Sequence, residues 1–167
     1  AMNADGFSFS IMVGIGETYL PAFMLSAGRG EFAAALIATV PLLTGSLLQL
    51  LAPAMIRWIG SYRRFVVLMS SAQAASLSAL ALMVFFPQAP TWLFFIPATT
   101  YWGAGLSTGP AWNTWAEDLV PGKLRAGFFS RRSRLSHFGV LVGLFSGGML
   151  LRQFDGTDHA LKVFAVL

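Results

Sequence analysis

The chain has 167 residues, a formal net charge of +4 and no cysteine; 56% of it is hydrophobic and only 11% charged, against about 25% charged in soluble domains. A globule of this size buries only about two-thirds of its unfolded surface, so much of this apolar material would face water, and lipid is the solvent that fits it. High hydrophobicity with low charge excludes disorder, and the absence of cysteine excludes disulfide scaffolds and thiolate metal sites. A basic balance points to nucleic acid only when the cations share one folded face. Here they lie between apolar runs, and no nucleic-acid partner is expected. The opening residues AMNADGFSFS carry no basic n-region and no cleavage site, so no signal peptide is expected, and Ala1-Met2 reads as a cut end.

A helix rises about 1.5 Å per residue and needs about 20 apolar residues to cross the hydrocarbon. In chain order the predicted spans are 7–25, interrupted only by Glu17; 32–56, uncharged, with Pro41 and Pro53; 65–86, uncharged; 92–115, with Pro97, Pro110 and a glycine-rich middle; and 135–151. A sixth run starts at Ala160 and stops at Leu167, so the sequence reads as a fragment ending inside a helix. Runs this long without period-2 alternation exclude a membrane barrel. The expected fold class is an all-α membrane protein, a polytopic transmembrane helix bundle.

Eight of the eleven basic residues fall between spans two and three (Arg57, Arg63, Arg64) or between spans four and five (Lys123, Arg125, Arg131, Arg132, Arg134). Basic loops stay inside, which predicts a multi-pass protein of the cell (inner) membrane with its N-terminus in the cytoplasm. Trp58, Trp92, Trp112 and Trp115 fall near span ends, as interfacial anchors do. The simplest role for the run from Arg131 to Arg134 is to set topology.

No nucleotide loop, metalloprotease helix, nucleophile elbow or histidine pair at metal spacing occurs, and no cofactor or metal is expected. His137 and His159 stand alone and read as interfacial polar residues. Glu17 is the informative position, ten residues after Phe7 and eight before Leu25. A carboxylate at that depth costs several kcal/mol and belongs against the bundle interior or a watery cavity. It reads as a proton or cation site, or as the counter-charge for a cationic solute. In span four, Tyr101 lies near mid-depth, and Thr108 and Trp112 follow on its face. Together with Asn113 they are possible cavity-lining residues. Gln49 and Gln73 read as structural bonds between helices. Gly139, Gly143, Gly147 and Gly148 form two GxxxG steps that predict a tight helix crossing. Glu117 and Asp118 face five cations, so the exit of span four beside Arg125 is either a plain helix end or a gate of ion pairs.

These features resemble the N-terminal half of a major facilitator superfamily transporter. The match covers the architecture of the whole chain: six spans, a short basic 2–3 loop and a longer basic 4–5 loop. Its most specific piece is GPAWNTWAEDLVPGKLRAGFFSRRSRL, from Gly109 to Leu135, which is similar to the span-four exit of many bacterial members. The glycines of span five are similar to the family's gxxxGPxxGG motif, with Leu144 in place of its proline. The stretch from Arg57 to Arg64 keeps the glycine (Gly60) and basic pair of the 2–3 loop motif and lacks its Asp. No arginine accompanies Tyr101, which argues against drug/proton antiport.

The resemblance implies that spans one and four line a central cavity, which selects Glu17 and Tyr101 as substrate or ion-binding residues. It sets Gln73 aside, because span three lies outside. It also implies a cytoplasmic gate or topology role for Arg57, Arg63, Arg64, Asp118, Arg125, Arg131 and Arg132. The expected function is secondary active transport of a small solute by alternating access, with the C-terminal half and the lipid bilayer as further partners. A receptor or assembly subunit built on the same bundle, and less so an integral membrane enzyme, are the competing expectations.

Overall fold

The computed structural model describes residues 2–86, 88–154 and 163–164. The expected sixth span, from Ala160, and His159 in the loop before it therefore lie outside the described residues apart from Val163 and Phe164. Among the described residues seven α-helices follow one another: α1 (Met2–Met12), α2 (Leu20–Ser26), α3 (Gly30–Gln49), α4 (Ala52–Ile59), α5 (Tyr62–Leu82), α6 (Trp92–Leu119) and α7 (Gly122–Phe154). A π turn, Val13–Glu17, links α1 towards α2, and a 3₁₀ turn, Met83–Phe85, ends α5. Among the described residues there is no strand.

Among the described residues four stretches are long and apolar enough to cross a membrane: Ala4–Ser26, Gly30–Gln49, Tyr62–Phe85 and Gly122–Phe154. The chain is an all-α membrane protein with several transmembrane helices. At 28 residues, or about 42 Å, α6 is also long enough, but Trp, Tyr, Thr and Gly make it less apolar than the other four. Some of its polar groups turn inward: Tyr101 and Ser107 are buried where α6 lies between α3 and α5, whereas Trp92, Thr100 and Thr114 are exposed.

Helix breakers explain the joints. Pro21 has no N–H to offer the Glu17 carbonyl four residues back, and the first span breaks between the π turn and α2. The second span breaks at Leu50-Leu51, where Pro53 opens α4. Gly60 closes α4 in the left-handed region (φ 71°), where L side chains are strained. Ser61 then caps α5 by accepting from the Arg64 N–H at 3.3 Å. Arg125 donates to the carbonyls of Glu117 (2.7 Å) and Val120 (3.0 Å), satisfying the last turn of α6.

One expectation is overturned here. The basic 4–5 loop is not a loop: only Val120-Pro121 separate α6 from α7, and α7 runs unbroken for 33 residues. Lys123, Arg125, Arg131, Arg132 and Arg134 are helical. Hydropathy placed the start of the span at residue 135, but nothing after Pro121 breaks the backbone hydrogen bonding, so the helix continues beyond the apolar stretch for about 20 Å.

Two apolar cores occupy the two ends of the bundle. At the end opposite the basic turns, Leu20, Phe23, Met24, Ala33, Ala34, Ile37, Leu80, Val84, Phe94 and Ala98 pack together, with the Arg29 guanidinium 5.1 Å from the Phe94 ring centre. At the basic end Ala52, Phe65, Val66 and Ala111 form the second core, covered by Trp112 and Trp115. Between the two cores lies a layer of polar side chains and glycines.

Candidate functional site

Glu17 ends the π turn at the break in the first span. A π turn holds one residue more than an α turn and is frequent at functional sites. Gly14 and Gly16 let this one approach its neighbours: a Cβ on Gly14 would collide with the Val140 carbonyl and the Leu144 nitrogen of α7. The half-buried Glu17 carboxylate meets Tyr101, whose hydroxyl donates to Glu17 Oε2 at 3.1 Å. Tyr101 is 1% exposed. The structure therefore joins the two residues selected from spans one and four, 84 positions apart in sequence.

Gln73 completes the group. It is buried on α5, with its side chain near enough to the Tyr101 hydroxyl to interact with it. That hydroxyl has one hydrogen, already given to Glu17, so it is the oxygen lone pairs that remain towards Gln73. The result is a polar cluster of Gln73, Tyr101 and Glu17, contributed by α5, α6 and the π turn, in which the Tyr101–Glu17 hydrogen bond is the direct link. It fixes the tyrosine hydrogen on the carboxylate and leaves the carboxylate as the group able to take up a proton or a cation. The sequence reading set Gln73 aside. The signal that pointed to it was an amide within an uncharged apolar run, opposite a glycine-rich segment.

Glycines on α6 make room for this arrangement. A Cβ on Gly105 would stand 2.6 Å from Gln73 Nε2, and one on Gly45 of α3 would stand 2.8 Å from the Gly103 nitrogen. The polar layer can be continuous only because these helices touch through backbone. Buried Ser76 and Ser107 contribute no further reach, since each donates to a carbonyl of its own helix.

The remaining expected residues are distributed as follows. Thr108 is half-buried and donates to the Ala104 carbonyl at 2.8 Å, and Asn113 is exposed. Trp112 lies beneath Arg132, whose guanidinium is 3.7 Å from the ring centre and 3.5 Å from Asp5 Oδ2. Arg132 thus ties the start of α1 to α6 and α7. Arg57, Arg63, Arg64, Asp118 and Arg131 are exposed. Arg125 reaches backbone carbonyls, not the Glu117 or Asp118 carboxylates, as a plain helix end does.

The glycine stripe of α7 meets the first span. Gly139 lies against the Phe7 carbonyl, Gly143 against the Ile11 carbonyl and Gly14, and Gly147 and Gly148 against the Tyr19 ring. The Tyr19 hydroxyl donates to the Leu144 carbonyl at 2.6 Å, two residues after Glu17. No group of three His, Asp or Glu side chains able to hold a metal occurs among the described residues. No protein-family model, no curated protein and no solved structure matches the chain.

Proposed function

We propose that the chain is the N-terminal half of a secondary active transporter of the major facilitator type, carrying a small solute by alternating access in the cell (inner) membrane. In this reading a second helical half completes the cavity, and the basic end faces the cytoplasm as positive-inside bias requires. The observation that supports it best is the Glu17–Tyr101 pair at the broken middle of the first span. Discontinuous helices and intramembrane carboxylates are where transporters bind substrate and coupling ions. A proton or cation arriving at Glu17 neutralises the carboxylate and weakens its hold on Tyr101. The freed hydroxyl then contacts the solute, so ion occupancy and solute binding are coupled through one hydrogen bond.

Reconstitution of the full-length protein in proteoliposomes tests this, with counterflow measured for a panel of labelled cationic, neutral and anionic solutes. Wild type is expected to exchange at least one solute in a pH- or cation-dependent way. Glu17→Gln should cut that flux by about tenfold or more and flatten its pH dependence. Unchanged flux with an unchanged pH profile removes Glu17 from the mechanism. A receptor or assembly subunit would show no flux for any solute.

A further inference from the structure

The hairpin between α4 and α5 carries three arginines, Arg57, Arg63 and Arg64, within eight residues, and no acidic residue occurs between Glu31 and Glu117. All three are exposed, and none forms an ion pair among the described residues. Arg63 and Arg64 line an open groove of about 630 Å³ with Ser61, Val67, Leu68 and Ser71. Helical spacing sets Val67 and Ser71 in one row above Arg63, and Leu68 above Arg64.

Two further features fix the depth of this groove. Trp58 is 88% exposed and Tyr62 39% exposed, and both flank the turn. Exposed Trp and Tyr at a span end sit at the headgroup level. Val67 and Leu68, each more than half exposed, then lie about 6 Å deeper, where they face acyl chain. The groove therefore offers two guanidinium groups and the Ser61 hydroxyl at phosphate depth, and an apolar wall leading inward. Guanidinium forks match phosphate oxygens in shape as well as charge.

We infer that Arg63 and Arg64, with Ser61, form a binding site for the phosphate headgroup of an anionic phospholipid, whose chains lie along Val67 and Leu68. The apolar wall and the aromatic flank favour a lipid over free phosphate. The inference rests on the membrane location of the helices and is independent of any transport activity.

Native mass spectrometry of the full chain, released from nanodiscs of mixed phosphatidylcholine and phosphatidylglycerol, tests it. Wild type should retain phosphatidylglycerol in excess of its bulk share. The double substitution Arg63→Gln/Arg64→Gln should lower that excess on the order of tenfold. Arg63→Lys/Arg64→Lys should restore most of it, which separates a binding defect from misfolding. Lys123→Gln/Arg134→Gln, at the same end of the bundle, should leave the excess in place. The inference is overturned by retention at the bulk ratio, by equal loss in the Lys123/Arg134 variant, or by displacement of the lipid with millimolar inorganic phosphate.

Discussion

The two parts of the first span are held by different physics. Below the break, α1 and the π turn lie on α7 almost backbone to backbone, through Gly14, Gly139 and Gly143. Above it, α2 leaves α7 for α3 and buries Leu20, Phe23 and Met24 in an interdigitated core. At its glycines the lower contact has little side-chain volume that can shift, the Phe7–Phe138 ring pair aside, whereas the upper one is built of side chains. Lipid is as apolar as leucine, so neither contact draws on a hydrophobic force; both depend on close packing and hydrogen bonds. Glu17 stands where the span changes partner, a position that neither seam holds completely.

The comparison is broken most directly at the glycine seam. Gly143→Leu should cost about 3 kcal/mol, the upper end of overpacking. Its Cβ would lie 2.5 Å from the Ile11 carbonyl and 3.1 Å from the Gly14 Cα, and backbone cannot step aside. Reversible unfolding in mixed micelles measures this. Gly148→Ala, whose new methyl meets the Tyr19 hydroxyl at 2.9 Å, a side-chain end held by one hydrogen bond and not backbone, is the milder control. Equal losses at the two positions would contradict a rigid seam.

The upper core should be sensitive to loss of volume where the glycine seam is sensitive to its gain. Phe23→Ala should cost about 2 kcal/mol in the same assay, because in lipid mainly the cavity and lost contacts remain of the usual penalty. Phe23→Leu should recover about half of that loss. No recovery would mean that ring contacts of Phe23 with Phe94 at 5.8 Å and Phe164 at 5.5 Å dominate over volume.

The smallest effect belongs to the tie between the first span and the rest at the basic end. Arg132→Gln removes the cation over Trp112 and should cost about 1 kcal/mol. Asp5→Asn should cost less, because the Asp5 side chain is 64% exposed and exposed ion pairs contribute little. A larger loss from Asp5→Asn than from Arg132→Gln would make the ion pair, not the ring contact, the real tie.

Composition and apolar runs made the helical class and most of the membrane spans legible without coordinates, because lipid forbids unpaired backbone and permits few alternatives. Glu17 and Tyr101 were legible for a related reason: polar groups at mid-depth are costly enough to stand out one by one. The GxxxG steps announced a close crossing. Their partner could not be read, since a small-residue stripe records that a backbone approaches and not which one.

The ends of α7 and the break at Glu17 were less visible. Hydropathy measures the solvent a helix prefers, whereas its length follows backbone hydrogen bonding, and the two diverge over Gly122–Arg134. The break was written in Gly14, Gly16 and Pro21 together, and no one of them suffices, since Pro41, Pro97 and Pro110 sit inside continuous helices.

By itself, then, the sequence determined the solvent, the helical class and the few polar residues placed at a cost inside apolar runs. Each of these follows from transfer free energies that act on local stretches of chain. Only the tertiary structure decided that α7 receives the lower part of the first span and α3 the upper, and that Gln73 joins Tyr101 and Glu17. Those outcomes depend on which surfaces fit at van der Waals distance, a property of pairs of helices that no single segment encodes.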